Sequence, residues 1–439
     1  MAAVGPFQVQ GDDLVVGGLK ARALAERFGT PIYVYDAGLV EERYRALRSA
    51  LPAKVSICYA LKANPSLAVS ALLARLGAGA EAASRGELLL ARRAGFAPES
   101  VVMAGPAKTE EDHLEALRMR IRAVHVESMA EMLRLNAAAL RTGAAREGNP
   151  VPFGLRVNTI AAIEEDRSII GGAGPRKFGV DEEEVAALLD RARECKALRL
   201  SGLHVFNASN VRDAGALVAN ASRILALASS ISADAGQLLD YVDLGGGLGI
   251  PYAKEEAPLD VAALGRGIAE LLEGLAGGPL AGTSLIVEPG RYLVGEAGIY
   301  LTRVVEVKVS RGKKFALVDG GIHHFLRPAL LGVSHPIVHA SRASEPPEDV
   351  FDIGGPLCTG LDFLGKEVVL PELSEGDLLA ILCAGAYGYT ESMLEFLSHA
   401  APAEVVVRGG EAAIARPRTP PEDRLDRQTI PPFLLSPSS

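Results

Sequence analysis

Lys62 stands at the end of an apolar run that begins at Val55, within the segment YALKANPS, where a strand should give way to a helix. Lysine is usually a solvated surface residue, so an amine at the end of a buried run is a candidate nucleophile. Other strand-like runs also end in polar residues or glycine, namely Glu81, Arg156, His204, Gly245, Gly246, Gly247, Glu288, Gly290 and Arg291. If the fold brings these ends together, an amine, carboxylates, a histidine and an anion-binding loop converge on one site.

The glycine loop 245–247 and Arg291 are suited to binding phosphate. Glycine lets backbone N–H groups approach phosphate oxygens closely, and the arginine guanidinium adds a charged fork. An amine beside a phosphate cradle indicates a Schiff base between Lys62 and pyridoxal phosphate. The chain has no CxxC pair or comparable ligand spacing, so we expect no metal.

Each of these features alone also has an ordinary explanation. A lysine at a strand end is usually a surface residue, and GGGLG fits the fingerprint GxGxxG only loosely. His204, on an apolar strand, is more often a hydrogen-bonded core residue than a catalyst. The ordinary explanations do not account for the order of these residues on successive strand ends.

Short apolar runs alternate with amphipathic helical patterns from about residue 55 to residue 290. The pattern contains eight strands, each except the last clearly followed by a helix. This is the number of strand–helix units in a (β/α)8 barrel. In such barrels functional residues lie at the carboxyl ends of the strands. A doubly wound open sheet is the competing fold, because alternation alone does not show closure.

After Arg291 the pattern changes to β-strands separated by glycine-rich or charged turns, which predicts a second, mostly β domain. The early segment FQVQGDDLVVGG reads as a hairpin that joins this domain. We therefore predict an α/β protein with an N-terminal β segment at 1–30, a TIM-type (β/α)8 barrel at 31–290 and a β domain at 291–439. The Pro-rich tail from Pro417 is expected to be irregular.

The chain has 439 residues and a formal net charge of −9, with no long basic run. This balance argues against nucleic acid or an anionic membrane as a partner. We expect no membrane-spanning stretch and no signal peptide. Four scattered cysteines favour a reducing cytoplasm over a disulfide framework. These features predict a soluble cytoplasmic protein.

Seven motifs occur in one order: YALKAN, SRGE, GLHVFNAS, DLGGGLG, EPGRYLV, GPLCTGLD and GAYGY. In this order they resemble the fold-type III pyridoxal-phosphate decarboxylases, the family of diaminopimelate, ornithine and arginine decarboxylases. The resemblance runs from about Ile32 to Glu404, most of the chain. It implies an alanine-racemase-like fold, in which a TIM-type barrel is combined with a β domain, and a carboxy-lyase that releases an α-carboxylate as CO2.

The resemblance also implies a role for each strand-end residue. Lys62 would hold pyridoxal 5'-phosphate covalently, and Glu288 would pair with the pyridine nitrogen so that the ring accepts electrons when CO2 leaves. The residues expected near the ring are Glu81, Arg156, His204 and Phe206, with His204 also a catalytic candidate. The residues expected around the phosphate are Ser209, Gly245, Gly246, Gly247, Gly290, Arg291 and Tyr387.

Cys358, within GPLCTGLD, matches the cysteine that the family supplies across a dimer interface to protonate the substrate carbon. A free cysteine is otherwise most often a buried small hydrophobe. With Tyr387, it implies a twofold homodimer with shared active sites. The residues expected to bind the substrate are Arg291, Arg327, Thr359, Asp319 and Tyr387.

Two departures from the family pattern lie around the cofactor. Phe206 stands where the family stacks a histidine on the ring, and phenylalanine can cover the ring but cannot form a hydrogen bond. Ala208 replaces the glycine that usually precedes the serine of the phosphate turn, which is a small change.

Further departures lie at the distal end of the substrate. Thr359 stands where diaminopimelate decarboxylases have a glutamate that binds the distal ammonium. Losing such a charge-assisted bond typically costs about 1.5–3 kcal/mol. Arg327 is retained but its tyrosine partner is replaced by Leu331. The adjacent acids of ornithine-type enzymes are missing, although Asp319 and Asp362 remain.

These departures predict a decarboxylase whose substrate keeps an α-amino-acid head and has a different, larger or non-basic tail. HVFNAS and GGGLGIPY resemble a biosynthetic-cluster branch that includes siderophore decarboxylases and an enzyme acting on a glutamyl chain tethered to a carrier protein. The alternatives are a true diaminopimelate decarboxylase of lysine biosynthesis, an amino-acid racemase and a non-catalytic regulator. A racemase usually pairs the pyridine nitrogen with arginine rather than with a residue like Glu288, and a regulator would have lost Lys62 or Cys358.

Overall fold

The computed structural model describes residues 3–145, 148–159 and 176–435. The described residues form two compact units. One unit spans Ala37–Ala297, and the other combines the residues up to Asp36 with those from Gly298 onward. The chain therefore begins in one unit, builds the second, and returns to the first.

The N-terminal residues form a four-stranded antiparallel sheet and a helix. The elements are β1 (Ala3–Val4), β2 (Phe7–Gln10), β3 (Asp13–Val16), β4 (Leu19–Lys20), α1 (Ala21–Phe28) and β5 (Ile32–Asp36). In β2, Phe7 and Val9 are buried while the residues that follow each of them are exposed, which is the alternation of a half-buried strand.

The unit Ala37–Ala297 is a barrel of parallel strands. Its strands are β6 (Val55–Ala60), β7 (Gly79–Ala82), β8 (Val101–Met103), β9 (Ala123–Val126), β10 (Val151–Asn158), β11 (Val180–Asp181), β12 (Leu198–His204), β13 (Tyr241–Asp243) and β14 (Ser284–Val287). The short strand β11 pairs in parallel with the end of β10. The other eight strands pair in a ring, which closes where Leu285 of β14 lies opposite Val55 of β6. Closure confirms the predicted barrel and excludes the open sheet.

Helices surround the barrel strands, and five of them begin at a side chain that caps the first turn. The helices are α2 (Ala37–Ala50), α3 (Leu67–Arg75), α4 (Arg85–Ala94), α5 (Glu110–Met119), α6 (Met129–Thr142), α7 (Val185–Ala192), α8 (Ala214–Ala235), α9 (Val261–Gly274) and α10 (Arg291–Val294). The side chains that accept from first-turn N–H groups are Ser84, Thr109, Ser128, Asp213 and Asp260. Such caps stabilise a helix by about 1 kcal/mol each.

Among the described residues, α8 has the length and composition of a membrane span, with a mean hydropathy of 1.4 over its most apolar window. It departs from the expectation that no stretch of the chain is long and apolar enough. α8 follows β12 in the barrel, and its larger apolar residues, including Leu217, Ile224 and Ile231, are buried. Much of the rest is alanine and serine, and 33% of the apolar window is buried.

The residues from Gly298 onward are mostly β. They form β15 (Gly298–Ser310), β16 (Lys313–Val318), α11 (Arg327–Leu331), β17 (Ile337–His339), β18 (Asp349–Gly354), β19 (Phe363–Leu370), β20 (Leu378–Ile381), β21 (Ala403–Arg408), β22 (Glu411–Arg416) and α12 (Glu422–Leu425). The long strand β15 pairs with β5 and β20 over its first half and with β16 over its second half. Among its described residues, the tail after Pro417 contains short helical turns and an isolated β-bridge from Thr419 to Ala401.

The observed division differs from the predicted boundaries at 30/31 and 290/291. β5 pairs with β15 and, in parallel, with β21, so residues 31–36 belong to the β domain and the barrel unit begins at Ala37. α10 and the residues up to Ala297 stay with the barrel unit. The partners of β5 are hundreds of residues away along the chain, which is why its own sequence does not identify them.

Tyr241 fills the centre of the barrel and is fully buried. Its hydroxyl lies 2.8 Å from Nε2 of His125, which fixes the ring. A Cβ atom on Gly202 would lie 2.3 Å from Cζ of Tyr241, and one on Gly154 would lie 2.6 Å from the hydroxyl. Two glycines on β10 and β12 therefore make the room that this ring occupies.

We predict that Gly202→Ala destabilises the protein by about 1–3 kcal/mol, because the added methyl group meets a ring that cannot move aside. Gly274→Ala is the matched control, since a Cβ there has nothing within 4 Å. That control should be unchanged or about 0.4–1 kcal/mol more stable. Urea unfolding of both variants measures the difference, and equal midpoints would contradict the packing described.

Candidate active site

Lys62 lies in a 3-10 turn, Leu61–Ala63, directly after β6. Its Nζ donates a hydrogen bond to Oε2 of Glu81 at 2.5 Å. β6 and β7 pair in a register that sets Ala60 opposite Glu81, so sheet geometry places the carboxylate beside the strand end that carries the lysine. The side chain of Lys62 is 33% exposed and that of Glu81 is 3% exposed. The amine is thus held by a buried carboxylate and remains accessible.

Glu87, in the first turn of α4, is a second carboxylate near this pair. Its Oε2 accepts the N–H of Ala83 at 2.7 Å, and its own N–H donates to Oγ of Ser84 at 3.2 Å. Burial raises the pKa of Glu87 to about 7, and the charge of Glu81 adds to the rise. Glu87 is therefore poised to change protonation near neutral pH.

A buried cluster inside the barrel, here called the floor cluster, consists of His125, His204, Asp243 and Glu288. One polar atom from each lies within 4.8 Å of the others. The rings of His125 and His204 stack with centroids 4.8 Å apart, and Nε2 of His204 is 3.4 Å from Oε2 of Glu288. Among the described residues, Oε1 of Glu288 has no hydrogen-bond partner.

Burial makes most of the floor cluster neutral. It lowers the pKa of His204 to about 3 and lowers the pKa of His125 well below 6.5. Burial, with the charge of Glu288, raises the pKa of Asp243 well above its usual value. We interpret this cluster as the buried surroundings of the Glu288 carboxylate.

The position of His204 bears on its predicted catalytic role. An imidazole with a pKa of about 3 stays neutral over the physiological range and cannot act as a general acid there. It lies beside Glu288 and is 2% exposed. Its place favours orienting that carboxylate rather than transferring a proton.

The loop 245–247 is a close backbone turn after β13. Gly245 and Gly247 have φ of +70° and +99°, which side-chain-bearing residues rarely adopt. A Cβ on Gly245 would lie 2.6 Å from the carbonyl oxygen of Val205, and one on Gly246 would lie 2.6 Å from that of Glu288. The same Cβ on Gly245 would lie 3.3 Å from Cδ2 of Phe206, so the predicted ring-covering residue lies against this loop.

Arg291 begins α10 next to the glycine loop. It donates from one terminal nitrogen to the hydroxyl of Tyr252 at 2.5 Å and from the other to Oγ of Ser209 at 3.3 Å. A Cβ on Gly290 would lie 2.8 Å from Cβ of Ala63. The EPGR segment therefore packs directly against the turn that carries Lys62, and Tyr252 is a member of this group that sequence reasoning missed.

Arg156 forms a buried ion pair with Glu127, a second residue that sequence reasoning missed. One of its terminal nitrogens lies 2.9 Å from Oε1 of Glu127, and both side chains are at most 10% exposed. Glu127 also accepts the N–H of Gly105 at 2.7 Å and that of Gly179 at 3.0 Å. Glu127 follows β9 in AVHVES, so its strand-end position was a signal that could have identified it.

The β domain carries the other predicted site residues. Cys358 is exposed, whereas the other three cysteines are buried. Thr359, next to it, accepts the N–H of Leu361 at 3.3 Å through its hydroxyl. An exposed cysteine differs from the buried small hydrophobe that a free cysteine usually is.

Arg327 and Tyr387 lie together in the β domain. The guanidinium carbon of Arg327 is 5.1 Å from the centroid of the Tyr387 ring, within the range of a cation–π interaction. Tyr387 has a φ of +55°. Such a backbone is strained in a residue other than glycine, and strain of this kind is concentrated at functional sites.

The carboxylates of Asp319 and Asp362 both accept hydrogen bonds from other parts of the β domain. The carboxylate of Asp319 accepts hydrogen bonds from the hydroxyls of Thr30 and Thr302 and from the N–H of Arg303. That of Asp362 accepts the N–H groups of Ile322 and Leu357. These bonds make the two residues structural ties, which is at odds with the predicted substrate-binding role of Asp319.

The barrel residues fit pyridoxal 5'-phosphate. The accessible amine of Lys62 matches the aldehyde, and the buried Glu288, with one oxygen unpartnered in the part of the chain that the structure describes, matches the pyridine nitrogen. The glycine loop leaves no space for side chains, and Arg291 with Ser209 adds donors for a phosphate.

Comparison with known proteins identifies relatives of the same architecture. Residues 37–295 match the family model described as pyridoxal-dependent decarboxylase, pyridoxal binding domain. A diaminopimelate decarboxylase of Methanothermobacter thermautotrophicus is 35% identical over 426 residues, which are 96% of this chain and 97% of that protein. The crystal structure of diaminopimelate decarboxylase from M. jannaschii has a TM-score of 0.90 at 28% identity, covering 98% of both chains.

A second kind of relative has another substrate in its name. The L-glutamyl-(BtrI acyl-carrier protein) decarboxylase of Niallia circulans is 32% identical over 408 residues, which are 91% of this chain and 94% of that protein. The similarity therefore extends along nearly the whole chain to enzymes that act on different substrates.

We predict that the raised pKa of Glu87 makes stability depend on pH. Between pH 4.5 and about 7 the folded protein keeps a proton that the unfolded chain has released, so its free energy of unfolding falls as pH rises through this window. The Glu87→Gln variant has no carboxyl group at this position, so its free energy of unfolding lacks this fall with rising pH. Thermal midpoints measured from pH 4.5 to 8 should show wild-type protein losing stability relative to the variant up to about pH 7, and then running parallel.

Glu99→Gln is the control, because Glu99 is an exposed residue. Its midpoints should follow those of wild type at every pH. A Glu87→Gln curve that also runs parallel to wild type over the whole range would contradict the raised pKa.

Proposed function

The chain belongs to the pyridoxal-dependent decarboxylases, and we propose that it decarboxylates an amino acid or amino-acid derivative read by a distal pocket unlike that of diaminopimelate decarboxylases. The protein is a carboxy-lyase with pyridoxal 5'-phosphate as cofactor. The observation that carries the proposal is the convergence of Lys62, Glu81 and Glu288 at neighbouring strand ends of one closed barrel. Thr359 and Leu331, at positions where diaminopimelate decarboxylases have polar residues, support the altered pocket.

The bound cofactor supplies an electron-accepting ring that stabilises the electron pair released when CO2 leaves. Lys62 holds the cofactor, and Glu81 orients its amine by the 2.5 Å hydrogen bond. Glu288, buried in the floor cluster, would hold a proton on the pyridine nitrogen. Arg291, Ser209 and the glycine loop anchor the phosphate. Each residue thus positions charge before the reaction begins.

The protein acts as a homodimer in this proposal, and Cys358 of one subunit protonates the substrate carbon in the site of the other. The exposure of Cys358 supports this, since a proton donor to a neighbouring subunit must be accessible on its own chain. A cytoplasmic location is also proposed, because none of the four cysteines forms a disulfide.

The second candidate substrate is a chain tethered to a carrier protein. The observation that favours it is the similarity to the carrier-protein glutamyl decarboxylase over nearly the whole chain. A true diaminopimelate decarboxylase is the third possibility, and CO2 release from meso-diaminopimelate with fast, saturable kinetics would establish it.

We predict that Lys62→Ala abolishes the visible absorption of the holoenzyme together with CO2 release, because Lys62 is the amine proposed to hold the cofactor. Borohydride reduction of the wild type should leave the cofactor attached to the peptide that contains Lys62. Lys54→Ala, at an exposed lysine just before β6, is the control and should keep both signals. Visible absorption that persists in Lys62→Ala would contradict the assignment.

We also predict that mixing inactive Lys62→Ala and Cys358→Ala subunits restores about a quarter of wild-type activity. Random exchange gives mixed dimers in half of the population, and each has one intact site when sites are shared between subunits. Activity is measured before and after exchange. Mixtures that stay inactive, although exchange is verified by mass, would contradict shared sites.

A further inference from the structure

Lys108, between β8 and α5 of the barrel unit, is a buried lysine that none of the roles described above uses. Its side chain is 1% exposed, although lysine is almost never fully buried unless it is paired. Its Nζ lies 2.7 Å from Oε1 of Glu131, whose side chain is 3% exposed. The same Nζ donates a hydrogen bond to the carbonyl oxygen of Gly105 at 2.5 Å. The fold thus keeps one ammonium in the interior through two contacts.

Both contacts of Lys108 lead to Glu127. The other carboxylate oxygen of Glu131, Oε2, accepts the N–H of Glu127 at 2.9 Å. Gly105, whose carbonyl oxygen accepts from Lys108, donates its own N–H to Oε1 of Glu127 at 2.7 Å. Lys108 therefore braces Glu127 twice, once through its backbone and once through its carboxylate.

Glu127 in turn holds Arg156, which lies near the carboxyl end of β10. Oε1 of Glu127 is 2.9 Å from a terminal nitrogen of Arg156, and the pairing of β10 with β12 sets Arg156 opposite His204. Burial and the charge of Arg156 lower the pKa of His204, whose Nε2 lies 3.4 Å from Oε2 of Glu288. The guanidinium therefore acts directly on the floor cluster.

Two basic and two acidic side chains alternate along this path. They are Lys108, Glu131, Glu127 and Arg156, and each is at most 10% exposed. Burial alone would raise the pKa of Glu131, but His113 and Lys108 beside it hold that pKa below its usual value. A buried charge that loses its partner is strongly destabilising, so the side chains along this path depend on one another.

We propose that Lys108 and Glu131 are positioning residues of the active site, which hold Glu127 and Arg156 at the cofactor end of the barrel. Lys108 and Glu131, here called the inner pair, act through Glu127 and Arg156, the outer pair. Without the inner pair, Arg156 is no longer fixed beside the floor cluster, and cofactor binding weakens. The inference rests on the proposed function, but it is tested on cofactor binding, which needs no substrate.

The test is a double-mutant cycle between the two pairs. The dissociation constant of pyridoxal 5'-phosphate is measured by equilibrium dialysis of the full-length holoenzyme, with the bound cofactor read from its visible absorption. The inner pair is changed by Lys108→Met with Glu131→Gln, and the outer pair by Arg156→Met with Glu127→Gln. Replacing both partners of a buried pair leaves no charge unpaired, so these variants are better tolerated than the single removal of either basic residue.

Changing the inner pair alone should raise the dissociation constant by about tenfold or more, since the charge-assisted contacts that fix Arg156 are lost. In protein that already lacks the outer pair, the same change should alter the dissociation constant by about twofold or less. A rise that is equal in both backgrounds overturns the inference, because the inner pair would then act on stability alone. An unchanged dissociation constant in the first background overturns it as well.

The matched control is Arg92→Met with Glu115→Gln, which removes an ion pair of 2.9 Å between α4 and α5. This variant should keep the dissociation constant of the wild type. If the inner-pair variant does not fold, Glu131→Gln alone allows the same comparison, because its amide oxygen still accepts the N–H of Glu127. If no amino acid releases CO2 but the dissociation constants follow the expected pattern, the proposed function fails and the inference stands.

Discussion

Closure of the barrel is the constraint on which the site depends. When β14 pairs with β6, the last strand of the barrel becomes the neighbour of the first, and residues more than two hundred positions apart come together. Gly290 then packs on Ala63, which places the phosphate-binding segment beside the turn of Lys62. The pairing of β6 with β7 brings Glu81 to the other side of the same turn. In an open doubly wound sheet the first and last of these strands would not be neighbours, so Lys62 and Glu288 would not share a site.

Burial then assigns a charge to each group that closure brings together. The interior penalises charge, so the two histidines of the floor cluster are neutral and the pKa of Asp243 is raised. Glu288 lies among these groups and is the carboxylate proposed to accept from the ring nitrogen. At the rim, the accessible Lys62 pairs with the buried Glu81. The pKa of the nearby Glu87 is raised toward neutral pH. Carboxylates of one chemical type thus acquire different functions through their surroundings.

Much of this could be predicted from the sequence, and the exceptions have physical reasons. Alternating strand and helix patterns predict the barrel because each unit is local, and the polar strand ends predict Lys62, Glu81 and Arg291 for the same reason. The place of β5 depends on pairing with distant strands, so it was assigned to the wrong unit. The structural role of Asp319 follows from three hydrogen bonds to remote residues.

The most direct test of the central claim is a crystal structure of the holoenzyme with pyridoxal 5'-phosphate. The account predicts continuous density between Nζ of Lys62 and the cofactor, the carboxylate of Glu288 within hydrogen-bonding distance of the pyridine nitrogen, and the phosphate between the glycine loop and Arg291. Density that joins the cofactor to another lysine, or that places its phosphate away from Arg291, would contradict it.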